Sequence, residues 1–335
     1  MYKNADLMIM RAMTPVHAGC GSDLGIIDLQ IQREKHTNFP KIESSGIKGC
    51  IREACEEIAA SKEDVYNIHN IFGYDKDSKN CYYSVSGGMV DISAEVKLSF
   101  KKKEQFAGAI GFTDGKILLF PVISACGVFA YATCEMVLKR FFEEAAFSDC
   151  GFEQTKRFRP ENDGEVWCSS LCELKMEDRI IVEEYTYTPK TNEHIEVLIK
   201  KLSQFTGLEE GLLMEKLIIV SDDDFKDFVT MNTEVITRTK IDNITGAVAD
   251  GALFTEEYLP VETIMYSTVM YSAVFSQVSF EGGQNQQGGI SCCTAAEVKQ
   301  AFRKMVSECP IIQLGSGATI GKGIVKVSYR SGEEM

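Results

Sequence analysis

Residues 14–43, TPVHAGCGSDLGIIDLQIQREKHTNFPKIE, follow neither the helical period nor the alternation of a strand. They separate ADLMIMRAM (5–13), which alternates around Leu7, Ile9 and Arg11 as a first strand, from SSGIKGCIREACEEIAAS. In the latter, Ser44 or Ser45 is placed to cap a helix, and Ile47, Ile51, Cys55 and Ile58 make its apolar stripe. A connection of this length inside a compact domain is either disordered or functional. Its mixture of apolar, basic and acidic side chains argues for order. Any fold for this chain must hold a long irregular loop beside a strand–helix unit.

VYNIHNIFG reads as a short second helix stopped by Gly73, and residues 74–114 as a polar, glycine-dotted insertion. KILLFPV and GVFAYATC predict two strands around a Ser-Ala-Cys-Gly turn, followed by the amphipathic helix EMVLKRFFEEAAF. Between 150 and 215 the pattern predicts a strand, IIVEEYTYT, and a helix, EHIEVLIKKLSQF. Residues 234–260 predict a hairpin, in which Thr237, Arg238, Thr239 and Lys240 lead to a turn at Asn243–Gly246 and a return arm. A strand over TIMYSTVMYSAVF, a loop EGGQNQQGG, a helix AAEVKQAFRKMVSE and strands IIQLG and GIVKVSYR follow. This order predicts an α+β fold, a ferredoxin-like palm enlarged by insertions.

The chain is acidic, with 49 Asp and Glu against 35 Lys and Arg and a formal net charge of -14. Phosphate contacts need cations, so any nucleic-acid contact must be local. Between Ile31 and Ala54, Arg33, Lys35, Lys41, Lys48 and Arg52 outnumber Glu34, Glu43 and Glu53. Gly46, Lys48 and Gly49 fall in the first turn of the predicted helix, where small residues and a cation suit a phosphate. The same residues equally describe a solvated mixed-charge face. The 12 cysteines include no CxxC, and His17, His36, His69 and His194 are scattered, which predicts buried reduced thiols and no structural zinc site. Cys168 and Cys172 are spaced for one turn of a helix. No apolar run approaches the ~18 residues of a membrane span, and no leader pattern opens the chain, so a cytoplasmic location without a membrane is expected.

GSGATIGKG (315–323) resembles a P-loop and fails its spacing. Gly315 and Gly321 enclose one residue too many, and Gly323 follows Lys322 where Ser or Thr belongs. What survives is a glycine-rich loop between strands, with Gly315, Gly317 and Gly321 able to bring backbone amides, and Lys322 a charge, to a phosphate. A merely permissive turn is the alternative.

The block TPVHAGCGSDLGIIDLQIQREKHTNFPKIESSGIKGCIRE (14–53) and the loop ending Gly-Lys-Gly at 321–323 resemble the backbone RAMP subunit, subunit four, of Cmr-type (type III-B) CRISPR effector complexes. ILLFPVISACGVFAYATC and TEEYLP fall where that family has similar strings. Glu43-Ser44-Ser45-Gly46-Ile47 and Leu314-Gly315-Ser316-Gly317 depart from its usual Gly-Ser-Ser-Leu and Gly-Gly-Asn patterns. The resemblance implies a single RAMP domain over 1–335, with an RRM-like palm, a catalytic loop at 14–43 and a β-hairpin thumb at about 234–260. It implies several copies stacked along a guide crRNA, beside a large Cas10-type subunit and small subunits. A complementary target RNA pairs with the guide and is cut at regular intervals, where each thumb displaces a base pair. Asp28 aligns with the family's catalytic aspartate, as general base or as ligand to a transient divalent cation, Mg²⁺ being the expected one. Asp23, in a Ser-Asp-Leu-Gly setting, reads as turn chemistry. His17, Glu256, Glu257 and Tyr258 are secondary catalytic candidates. Arg33, Lys48, Gly49, Arg52, Arg238, Gly315, Gly317, Gly321 and Lys322 are the RNA-binding candidates. A non-catalytic scaffold in the same filament, with Asp28 capping a turn, is the rival reading. A small-molecule enzyme with a phosphate-binding loop is a more distant one.

Overall fold

A computed structural model describes residues 2, 4–22, 25–75, 82–85, 88–91, 97–98, 105–150, 157–274, 278–279 and 294–332. Most of the insertion between 75 and 105, the loop EGGQNQQGG and Asp23 lie outside the described residues. The chain sorts into two compact units, each assembled from segments far apart in sequence. The first comprises Met1–Asp6, Ser44–Thr113 and Thr268–Ile312. The second comprises Leu7–Glu43, Asp114–Ser267 and Gln313–Met335.

In the second unit the first strand, Asn4–Ala12, contributes its part from Leu7 onward and pairs antiparallel with Ile324–Arg330, from Leu7↔Arg330 to Ala12↔Val325. Gly115–Ile123 and Phe129–Cys134 form the expected antiparallel pair, and Leu217–Val220 runs parallel to Phe129–Cys134. The helix Glu135–Ala145 buries Val137, Leu138, Phe141 and Phe142. Phe141 meets Phe205 and Tyr266 edge-on at 5.1 and 5.0 Å, so one aromatic ring ties two helices and a strand. Phe205 belongs to Glu193–Thr206, which starts where Asn192 accepts the His194 N–H and stops at Gly207 with φ of 70°.

Two expectations change here. IIVEEYTYT is not one strand but a hairpin, Arg179–Val182 paired with Tyr185–Thr191. Glu183 breaks it, adopting φ of 50° while its carboxylate accepts the Ile123 N–H at 2.7 Å. Cys168 and Cys172 are not a helical turn apart: Cys168 ends the strand Glu165–Cys168, and Cys172 follows in a turn. Both thiols are free and buried, as expected of small apolar fillers.

The first unit carries the helices Ser44–Ile58, Lys62–Phe72 and Ala295–Glu308. The first of them begins at Ser44 itself and buries Ile47, Ile51 and Cys55. Capping boxes at Ser61 and Thr294 start the other two, and Gly73 ends the middle one with φ of 109°. Asp6 is wholly buried and takes Lys299 at 3.0 Å, Arg303 at 2.7 Å and the Tyr271 hydroxyl at 2.8 Å. Within the nominal insertion, Gly73–Asp75 pairs with Gln105–Ala107, and Ile110–Phe112 pairs with Ile264–Tyr271 at Ile110↔Tyr271. Its two ends are therefore ordered strands. Among the described residues no helix is long and apolar enough to cross a membrane.

Candidate active site

Glu234–Ile241 and Val248–Tyr258 pair antiparallel from Glu234↔Tyr258 to Ile241↔Val248, which is the expected hairpin. Asp242 builds its turn. Its Oδ1 accepts the N–H groups of Ile244 and Thr245 at 2.9 and 2.7 Å, and those donations hold its carboxyl below the ordinary carboxylate range. Ile244, at the tip, is 94% exposed.

The return arm continues into the long loop. Leu29–Ile31 joins it in parallel at Leu29↔Glu256, and Gly19–Ser22 adds a fourth strand beyond. Residues 14–43 are thus not structureless. Their strands are only two to four residues long, too short to show a period, and Leu29–Ile31 meets its hairpin partner more than two hundred residues away.

Asp28 sits just before this junction and is exposed. Its Oδ2 accepts the Thr255 backbone N–H at 2.7 Å and the Thr255 hydroxyl at 2.9 Å, while the Asp28 N–H donates back to that hydroxyl at 3.0 Å. Donation from the Thr255 backbone, and then from its hydroxyl, holds the Asp28 carboxyl below the ordinary carboxylate range. One oxygen is pinned to the hairpin, and Oδ1 takes part in none of these bonds.

Next along the arm, Glu256 Oε2 accepts the Tyr258 hydroxyl at 2.6 Å and Arg238 at 2.7 Å. Burial pushes the Glu256 carboxyl up, but the donations of Tyr258 and Arg238 outweigh it and leave it low. Burial and the Glu256 charge together push the Tyr258 hydroxyl up, so it stays protonated. Lys322 Nζ lies over the Tyr258 ring, 5.0 Å from its centroid, and the His17 ring is tilted against it with centroids 5.5 Å apart. Residues 17, 238, 256, 258 and 322 thus form one cluster.

The glycine-rich loop reaches this cluster by docking on residues 15–17. Ser316 N–H donates to the His17 carbonyl at 3.0 Å, and Gly323 N–H to the Pro15 carbonyl at 2.9 Å. Gly315, at φ of 84°, lies so close that any side chain there would collide with the His17 backbone. Lys322 N–H donates to the Gly317 carbonyl at 3.1 Å and Gly321 N–H to the Ala318 carbonyl at 3.1 Å. Several of the amides expected to cradle a phosphate are therefore occupied within the chain. Lys322 makes no ion pair among the described residues.

Other candidates are committed elsewhere. Glu257 is 2% exposed and accepts from Arg33, from the Ile31 N–H at 3.0 Å and from the Thr233 hydroxyl at 2.8 Å. Arg33 also donates to the carbonyls of Asn38 and Val229, at 2.8 and 3.0 Å. This pair clamps the loop to the hairpin, so the structure gives Glu257 and Arg33 to each other and keeps both apart from the cluster around Tyr258. His17 Nδ1 lies 2.6 Å from the Glu257 carbonyl, which can only accept, so Nδ1 carries a proton. Lys41 pairs with Glu43 and Asp114, so of the basic strip 33–41 both Arg33 and Lys41 are neutralised within the chain. In the first unit, Arg52 donates to Glu56 at 2.7 Å and to the Gly73 carbonyl at 3.2 Å, acting as a brace. Lys48 donates to the Ile110 carbonyl at 3.3 Å, and burial, then the Arg52 charge, pushes its pKa down. Gly46 and Gly49 face open space.

Among the described residues no three His, Cys, Asp or Glu side chains gather into a metal site. Asp28 by itself suits only a largely hydrated cation held through one oxygen. Thr255 and Asp242 carry structure that the sequence did not single out. Thr255 had no local signal, because its partner Asp28 is 227 positions away.

The chain resembles known proteins along nearly its whole length. The model of the RAMP superfamily matches residues 9–326. The CRISPR system Cmr endoribonuclease Cmr4 of Pyrococcus furiosus is 30% identical over 329 residues, covering 97% of this chain and 96% of that protein. The crystal structure of oligomeric Cmr4 from the same organism superposes with a TM-score of 0.64 at 24% identity, over 98% of each chain. A chain of the type III-B Cmr-beta complex bound to cognate target RNA, seen by cryo-EM, gives 0.64 at 19% identity, again over 98% of each. These structures support the α+β palm with its hairpin. This chain belongs to the RAMP superfamily, in its Cmr4 family.

Proposed function

We propose that this chain is the repeated backbone subunit of a type III-B CRISPR ribonucleoprotein, holding a guide crRNA and cleaving complementary target RNA as an endoribonuclease. The observation that carries the reading is an ionised, exposed carboxylate, Asp28, fastened to the base of a long projecting hairpin. Cleavage by a neighbouring 2′-hydroxyl needs that oxygen, phosphorus and the leaving oxygen in line, which a regular A-form duplex does not allow. A hairpin that splays a nucleotide out of the duplex creates the geometry, at a cost of about a few kcal/mol of stacking. Asp28, a few residues from the hairpin's base, is then placed at the distorted phosphate.

Its depressed pKa makes Asp28 a weak general base and a good electrostatic group. Mg²⁺ is the expected cofactor, and Asp28 Oδ1 is the oxygen that would hold it. When bound, such an ion neutralises charge building on the phosphoryl oxygens. Tyr258 and Arg238 keep Glu256 ionised beside the cluster, and Lys322 supplies a cation toward the RNA backbone. Its partners are further copies of itself, a Cas10-type large subunit and small subunits.

The test is purification of the chain co-expressed with its complex partners. A discrete small RNA should travel with it, and a labelled complementary RNA should be cut at regular intervals. Cutting that ignores complementarity, or none at all, removes the endoribonuclease reading and leaves the scaffold. Lys322→Ala should weaken RNA binding severalfold and lower the salt slope of log K by about one. Binding titrations across a salt series check this, and an unchanged slope takes Lys322 off the phosphate.

A further inference from the structure

Asp28 lies in a bend, and every hydrogen bond its carboxylate makes to another described residue comes from Thr255. Two donors converge on Oδ2, one from the backbone and one from the side chain. The same hydroxyl accepts the Asp28 N–H, which closes a reciprocal pair between loop and hairpin. A carboxylate held by a single N–H can pivot about that bond. Held by two donors of fixed direction, it presents its other oxygen in one orientation.

The neighbouring contacts do a different job. Leu29↔Glu256 pairing, the Ile31 N–H on Glu257 and the Arg33–Glu257 ion pair join the strands without touching the Asp28 carboxylate. Removing the Thr255 hydroxyl therefore leaves the Leu29↔Glu256 pairing and the Glu257 contacts in place, and takes from Asp28 one of the two donors to its carboxylate together with the acceptor of its N–H. We propose that Thr255 is a positioning residue, whose hydroxyl sets which way the Asp28 carboxylate faces and registers it to the base-displacing hairpin. Displacement of the nucleotide and placement of the carboxylate are then one mechanical event. This rests on the reading of Asp28 as the residue that acts on the target RNA.

The experiment uses the complete assembled complex and single-turnover cleavage of labelled complementary RNA, with target affinity measured in parallel. Thr255→Val preserves shape and the backbone donor while deleting the hydroxyl. It should slow cleavage by roughly tenfold or more, with unchanged guide content and target affinity. Thr255→Ser, which restores the hydroxyl, should bring the rate back to within about threefold. In an Asp28→Asn background, Thr255→Val should add no further loss, because the group it orients is gone. Wild-type rates in Thr255→Val, where Asp28→Asn alone is inactive, overturn the positioning role and leave the Asp28 reading standing. Loss of target affinity in Thr255→Val and Thr255→Ser alike also overturns it, in favour of a structural role. Full activity in Asp28→Asn instead removes the reading beneath it.

Discussion

Asp28→Asn is expected to lower target-RNA cleavage by at least about a hundredfold in a complex of normal stoichiometry, guide content and target affinity, the size of effect of a lost acid–base or electrostatic group. Asparagine keeps a carbonyl oxygen for the Thr255 N–H and hydroxyl, so the junction with the hairpin survives. What disappears is the negative charge at the outward position, where an amide N–H₂ now stands. Because Thr255 holds the carboxyl below its ordinary range, Asp28 is ionised throughout the neutral range, and the charge is the feature being tested. The measurement is a time course of end-labelled target RNA, with and without EDTA. Wild-type activity should fall with EDTA if a cation works through Asp28, and the variant should be slow in both conditions. Asp23→Asn, in the same loop, should cleave normally. The reverse pattern moves the assignment to Asp23, and survival of cleavage in both variants makes the loop a scaffold.

Glu257→Leu should lower stability by about 3–5 kcal/mol, because it strands a largely buried guanidinium rather than removing a surface charge. Arg33 stays in place with its carboxylate gone, and the Ile31 N–H and Thr233 hydroxyl lose their acceptor. For a unit of this size the melting temperature should fall by on the order of 10 °C. The double variant Arg33→Met with Glu257→Leu should recover a good part of the loss, since a buried pair replaced by apolar groups is often tolerated. Thermal melts of the purified chain decide the matter. A Glu257→Leu protein that melts like wild type yet cleaves slowly would return Glu257 to the catalytic candidates and reject the clamp.

These two residues mark where sequence reasoning stops. Asp28 could be singled out as a candidate because it stands in a motif, Asp-Leu-Gln-Ile-Gln-Arg, that is contiguous in the chain. Glu257 could not, because Glu256 and Glu257 are identical neighbours on one strand and differ only in the face each presents. One points to Arg238 and Tyr258, the other to Arg33 and Thr233. Likewise Arg33, Lys41 and Arg52 read as free cations until their carboxylate or carbonyl partners came beside them.

The sequence by itself determined the helices Ser44–Ile58, Lys62–Phe72, Glu135–Ala145, Glu193–Thr206 and Ala295–Glu308, since caps such as Ser61 and Thr294, stops such as Gly73 and Gly207, and stripes such as Ile47–Ile51–Cys55 act within a few residues. It also carried the family, through a contiguous block and a terminal glycine loop. Only the tertiary structure decided that the two motifs meet, with Ser316 and Gly323 bonded to His17 and Pro15 some three hundred positions earlier. It alone decided that Thr255 holds Asp28, and that the long loop is pleated into the hairpin's sheet. The physical reason is one of range. Local conformational preference depends on neighbours along the chain, whereas the availability of a charge or a hydrogen-bond donor depends on whichever distant segment the fold packs against it.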